Sequence, residues 1–213
     1  MSFVRPPFFF RWLSPEYLVC DLPGDEKVIY LTFDDGPIPE ATPEVLAILK
    51  GFSAVATFFM VGDNVRKYPI LFEQVKQEGH AIGNHTFHHL NGWKTSPGLY
   101  LEDVNRCGEL VGSRLFRPPY GRFTPTQFFL LRHTYRFILW SVLTNDFNKG
   151  ITAEKCLVNA ISASRPGSVV VFHDNLKSVD KVRYALPRFL EHFSGLGFRF
   201  AAIDQSMPSS AKL

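Results

Sequence analysis

The sequence predicts a single-domain α/β fold built on a parallel sheet that closes, or nearly closes, into a barrel. Three observations predict it. About seven short apolar runs alternate with segments of helical spacing, the pattern of strands joined by crossover helices. The runs are apolar throughout rather than at every second residue, as in strands covered on both faces. The polar clusters follow the C-terminal ends of these runs, the edge where catalytic groups gather in parallel α/β barrels. A length of 213 residues without an internal composition break fits one such domain.

Each element has its local reason. Residues 27–33 are β-rich and form the first strand. Thr42 then stands as an N-cap with Pro43 at the first helical position, and Val45, Ile48 and Leu49 give that helix its apolar stripe. Residues 55–61 make the second strand. A helix over 64–79 turns Val65, Leu71, Phe72 and Val75 inward, with Pro69 able to break its first part. The third strand, 81–84, ends at a histidine cluster. Then come a helix over 97–111, a short strand ending at Phe116-Arg117, a helix over 124–133 and a fifth strand over 136–142. Thr152 caps a helix over 152–163, with Gly167 beyond its end. Residues 169–172 form a β-branched strand, 182–193 a helix and 198–203 the last strand. Residues 1–22 are expected to be an arm packing on a catalytic domain of 23–204, and 205–213 a flexible tail.

Composition narrows the function classes. With 46% apolar and 20% charged residues the chain is globular, not disordered or fibrous. A net charge of +3, with Lys and Arg scattered among Asp and Glu, leaves no footprint for nucleic acid. Cys20, Cys107 and Cys156 are odd in number, far apart and without a Cys-x-x-Cys, so they read as buried apolar residues. The aromatic N-terminus fails as a secretory signal: two prolines follow Arg5, Arg11 interrupts the run, and no small-residue cleavage site follows. No apolar run has transmembrane length. A cytoplasmic location is therefore expected, with peripheral membrane contact through the aromatic arm, or cell-envelope association, as the alternative. Nothing in the sequence fixes an oligomeric state.

The chemistry concentrates in a few clusters. Asp34 and Asp35 are adjacent at the end of a buried strand, where two carboxylates repel unless a cation compensates them. Asp-Gly and Gly-Pro in the same stretch are also ordinary turn signals. His85 and His89 stand at i, i+4, a spacing that converges on one ion if the segment turns helically. A carboxylate with two imidazoles is the protein share of a catalytic zinc site, which keeps one position open for water. By contrast, His133 and His192 read as surface residues and His80 as a hydrogen-bonded structural one. Arg117-Pro118-Pro119-Tyr120-Gly121 is a proline-stiffened loop that can aim a cation at a carboxylate and a backbone N–H at an oxyanion. His173, at the end of the strand 169–172, faces the same mouth. Asp146 opposite it would orient the imidazole and raise its pKa.

Taken in order, Thr32-Phe33-Asp34-Asp35-Gly36-Pro37, His85-Thr86-x-x-His89, Arg117-Pro118-Pro119-Tyr120-Gly121 and Val171-x-His173 closely resemble the sequence blocks of the polysaccharide deacetylases, the NodB-homology proteins of the fourth carbohydrate esterase family. The resemblance spans residues 32–173 and implies a distorted (β/α)7 barrel. It implies that Asp35, His85 and His89 bind a divalent metal, commonly Zn2+ and otherwise an ion such as Co2+ or Ni2+. Asp34 would be the catalytic base and Arg117 its positioning partner, with the Tyr120 backbone N–H in the oxyanion hole. His173 would be the catalytic acid, held by Asp146. Pro119, Tyr120, Phe147 and Val171 would line the pocket for an acetylated glycan.

Two departures stand out. The family's fourth block usually reads Asp-x-x-Asp-Trp, and here it is Leu143-Thr144-Asn145-Asp146-Phe147; Val171 replaces the common Leu. The expected function is removal of N-acetyl, or O-acetyl, groups from a glycan with release of acetate. The alternatives are a deformylase or amidase acting on a lipid-linked sugar or a non-sugar amide, and a catalytically silent glycan-binding barrel.

Overall fold

Nine strands form one parallel sheet in the computed structural model, which describes residues 17–22 and 26–205. In chain order the elements are β1 (Leu18–Val19), β2 (Val28–Asp34), α1 (Thr42–Gly51), β3 (Thr57–Met60), α2 (Gly62–Lys67), α3 (Pro69–Gln77), β4 (Ala81–Asn84), α4 (Pro97–Val111), β5 (Leu115–Phe116), α5 (Pro125–Leu131), β6 (Arg136–Ile138), β7 (Val142–Leu143), α6 (Ala153–Ala163), β8 (Val169–His173), α7 (Val179–Gly195) and β9 (Arg199–Phe200). The strand order is β1-β6-β5-β4-β3-β2-β8-β7, with β9 beside β2. This curled parallel sheet with outer helices is the single-domain α/β barrel that the alternation predicts.

The pleat sorts side chains between the barrel interior and the layer under the outer helices. Ile29, Leu31 and Phe33 of β2, Phe58 and Met60 of β3, and Val170 and Phe172 of β8 pack outward under Leu46, Leu49, Leu186 and Phe189 of the helices. Phe59, Leu115, Ile138 and Val169 fill the barrel interior. Strand alternation therefore turns Thr32 and Asp34 of β2, and Val171 and His173 of β8, toward the interior, with Asp34 and His173 side by side at its mouth.

Closure is incomplete. β6 and β7 lie near opposite ends of the strand order, yet only Leu139, Trp140 and Ser141 separate them. A connection that short spans about 14 Å at most, so the two ends of the sheet must curl toward each other. No hydrogen-bonded ladder joins β6 to β7 among the described residues.

Several expectations change. The strand expected over 136–142 is two strands, because the chain leaves one end of the sheet and joins the other. Residues 18–19, placed in the outer arm, instead pair with Phe137 and Ile138 as a strand of the sheet. Residues 1–16 of the expected arm and 206–213, nearly all of the expected tail, lie outside the described residues. The helix over 64–79 is divided at Pro69 into α2 and α3. Thr42 is not an N-cap: it is the first residue of α1, its hydroxyl accepting from Ile38 N–H at 2.8 Å and donating to Asp174 at 2.6 Å. Thr152 does cap α6, and Thr124 caps α5 with Gln127 closing a capping box.

Candidate active site

Strand ends bring the expected residues to one mouth. Six non-glycine residues have positive φ among those described, and five of them, Asp35, Thr86, His89, Tyr120 and Asn145, lie in the loops that build it. Such left-handed backbone is uncommon for residues with a side chain, and it gathers where surrounding structure fixes functional groups.

Asp35 leaves β2 at φ 86 and turns its carboxylate toward the histidine loop. His85 Nε2 lies 3.6 Å and His89 Nε2 3.2 Å from Asp35 Oδ1, and one ligand atom from each of the three falls within 4.8 Å of the others. The histidines do not converge through a helix, as the i, i+4 spacing suggests. They converge through an irregular loop in which Thr86 and His89 are left-handed. His85 Nδ1 bonds the Arg117 carbonyl at 2.7 Å, so Nδ1 carries the proton and Nε2 keeps its lone pair toward Asp35. Burial pushes the His85 pKa down to about 4, against the field of Asp34, which leaves a neutral imidazole at pH 7. Burial also acts to raise Asp35, but the hydrogen bond from His89 and the charges of His173, His85 and His89 outweigh it and hold the carboxyl below the usual range. Two imidazoles and a carboxylate around one point fit a divalent cation of the zinc type.

Beside this group Asp34 is 4% exposed and meets Arg117 Nη1 at 2.6 Å. The Arg117 guanidinium is wholly buried over the Phe59 ring. Its Nη1 also donates to Thr32 at 2.8 Å, Nε to the Ile138 carbonyl at 3.0 Å and Nη2 to the Leu139 carbonyl at 2.7 Å. The last two acceptors lie where the barrel fails to close, so one side chain both fills the seam and anchors Asp34.

Across the mouth, Asp146 holds His173 twice. Its Oδ1 accepts from His173 Nδ1 at 2.7 Å and its Oδ2 from His173 N–H at 2.6 Å. Burial disfavours the imidazolium, but the charge and hydrogen bond of Asp146, then the charges of Asp35 and Asp34, win and push the pKa up to about 10. The Phe147 ring stands edge-on to His173 at 5.1 Å, while Val171, 1% exposed, lies two residues before His173 on the same face of β8. Pro119 is buried, and the exposed Tyr120 has φ 61. Gly121 and Arg122 N–H groups bond back to Pro118 and Pro119. The Arg117 carbonyl, which a continuing turn would offer to Tyr120, already accepts from His85.

Residues 21–136 match the model of the polysaccharide deacetylase family. A peptidoglycan-N-acetylglucosamine deacetylase of Bacillus cereus is 33% identical over 201 residues, covering 89% of this chain and 92% of that protein. The chain belongs to the polysaccharide deacetylase family. This deacetylase-family chain is also 32% identical over 199 residues to a peptidoglycan-N-acetylmuramic acid deacetylase of Bacillus subtilis, covering 85% and 72% of the two. A solved structure of a peptidoglycan N-acetylglucosamine deacetylase superimposes with a TM-score of 0.86 at 30% identity, over 93% of this chain and 95% of that one. The family's reaction class is hydrolysis of amide bonds outside peptides.

Three supporting residues of the deacetylase site escape the sequence reading. Asp103 of α4 accepts from Phe87 N–H at 2.9 Å, His88 N–H at 3.0 Å and His88 Nδ1 at 2.5 Å, shaping the loop between His85 and His89. A signal existed: Asp103 sits on the buried stripe of Tyr100, Val104, Cys107 and Val111, where an acid is out of place. Asp174 accepts from Gly36 N–H at 3.0 Å and from Thr42. A Cβ on Gly36 would lie 2.0 Å from that carboxylate, which explains the glycine. Asn175 donates from Nδ2 to Asp35 Oδ2 at 2.5 Å, and its Oδ1 accepts from Lys177 and Ser178 N–H.

Proposed function

We propose that the chain is a metal-dependent hydrolase that removes N-acetyl groups from a glycan, releasing acetate and leaving a free amino sugar. The observation that carries the reading is the Asp35-His85-His89 donor group, flanked on one side by the Asp34–Arg117 pair and on the other by the Asp146–His173 pair. Asp35, His85 and His89 would hold a divalent ion, zinc first among them, which supplies a lowered pKa for attacking water and polarises the acetamide carbonyl.

The rest is the work of the chain's own groups. Asp34, an anion fixed by Arg117, takes the proton of the attacking water. The Tyr120 N–H donates to the oxygen on which negative charge develops. His173 carries its proton at neutral pH because of Asp146, and it delivers that proton to the departing amine. Phe147 and the Tyr120 ring wall the pocket, and Phe147 replaces the bulkier Trp of the family pattern. The names of the relatives make peptidoglycan, with N-acetylglucosamine or N-acetylmuramic acid, the first substrate to test. No helix among the described residues is long and apolar enough to cross a membrane.

The test is an acetate-release assay on purified protein with chelator, then with zinc restored. Asp34→Asn should keep bound metal by elemental analysis while acetate release falls by about 10²–10⁴-fold, the usual contribution of a general base. Turnover equal to the parent would reject Asp34 as base, and activity indifferent to chelator would reject the metal.

A further inference from the structure

An exposed tryptophan beside the mouth is held in place more firmly than its burial explains. Trp93 is 63% exposed on the 3₁₀ turn Gly92–Lys94. Its indole N–H donates to the Phe123 carbonyl at 3.2 Å, and its backbone N–H donates to Asn91 Oδ1 at 3.1 Å. Gln127 Nε2 donates to the carbonyls of Gly92 and Thr95 at 2.9 and 3.0 Å. The turn presses so closely on its neighbour that a Cβ on Gly92 would lie 2.4 Å from the Arg122 carbonyl oxygen. Arg122 carries its guanidinium 4.8 Å from the Trp93 ring and 5.9 Å from the Tyr120 ring, and Tyr120 stands edge-on to His89 at 4.8 Å. Among the described residues no carboxylate is paired with Arg122.

A continuous row, His89–Tyr120–Arg122–Trp93, thus leads from the ligand histidines out across the surface. Rigid aromatic faces give large contact at low entropic cost, and they suit the C–H face of a pyranose. A guanidinium held within about 6 Å of both rings offers a planar fork to a carboxylate beside them. We propose that Trp93, Arg122 and Tyr120 form a subsite for the glycan chain flanking the reacting sugar, with Arg122 selecting a neighbouring sugar that bears a carboxylate. The inference rests on the deacetylase reading and makes the substrate an anionic oligosaccharide rather than a single sugar.

The test pairs binding with kinetics on the zinc-loaded protein. Probes are diacetylchitobiose, pentaacetylchitopentaose and the disaccharide-repeat tetrasaccharide of alternating N-acetylglucosamine and N-acetylmuramic acid. Trp93→Ala should raise KM for both long glycans about tenfold with kcat held, and leave the disaccharide within about twofold. Trp93→Phe should restore most of the loss. Arg122→Gln should weaken the tetrasaccharide and spare the chitopentaose, and added salt should narrow that difference. Equal effects on short and long probes, or Arg122→Gln leaving the tetrasaccharide unchanged, would overturn the proposal. Calorimetric binding in an Asp34→Asn background separates the two readings. Chain-length-dependent binding without acetate release by the parent protein would sink the chemistry and keep the subsite. Deacetylation with binding indifferent to Trp93 and Arg122 would do the reverse.

Discussion

Arg117 makes four hydrogen bonds in a place without solvent, and each partner would be costly to leave alone. Lysine offers a point charge with no planar fork, so Arg117→Lys would strand the Ile138 and Leu139 carbonyls and loosen Asp34. A loss of about 1–3 kcal/mol in urea unfolding is expected, the cost of buried groups left without a hydrogen-bond partner, together with loss of acetate release. His173 gives a second prediction at this scale. Its folded pKa is raised, so the stability it contributes is full below the unfolded value of about 6.5 and disappears as pH climbs through about 10. Activity that needs the imidazolium should follow the same limb. In Asp146→Asn the alkaline fall of kcat/KM should move toward pH ~6.5, the ordinary histidine value, and a pH–rate profile reads it directly. The pairing of Asp34 with a cation, and of His173 with Asp146, is legible in the sequence because like charges and strand-end positions demand partners. The grip of Asn175 on Asp35 is not, since an asparagine after a strand looks the same whether it caps a turn or steadies a carboxylate.

At the scale of elements, the histidine loop depends on α4. Asp103 accepts three hydrogen bonds from Phe87 and His88, and the same loop presents His85 and His89. Asp103→Ala should cost about 1–3 kcal/mol of stability through the donors it abandons. It should weaken zinc binding by roughly 10–100-fold, the usual effect of losing an outer-shell partner, as measured by competition with a chelating dye. Unchanged zinc affinity would mean that the loop holds its shape alone. The i, i+4 spacing correctly marks His85 and His89 as partners but suggests a helix. Positive φ at Thr86 and His89 is imposed by tertiary contacts, and neither residue type announces it. The split of 136–142 into β6 and β7 is hidden for a similar reason. An apolar, β-rich run reads alike whether its carbonyls go to a neighbouring strand or to a distant guanidinium.

For the whole molecule, alternation and the run of strand-end clusters suffice to give a parallel barrel with one mouth, because period and polarity are local properties. The small β1 and the open seam are not local: both depend on which strands become neighbours after the chain has curled. A metal held by Asp35 and the two histidines would tie the end of β2 to the loop after β4, and should therefore stabilise the entire fold. Zinc at a thousandfold excess over its Kd adds about 4 kcal/mol, or roughly 8–16 °C in Tm for a chain of this size. Scanning calorimetry with and without chelator should show the shift, and His85→Ala should not respond. The seam carries its own consequence. Where no ladder joins β6 to β7, gentle heat can part the barrel wall without breaking a single strand pairing, and Arg117 is the bolt across that door. Warming should therefore silence the enzyme several degrees before circular dichroism registers any melting.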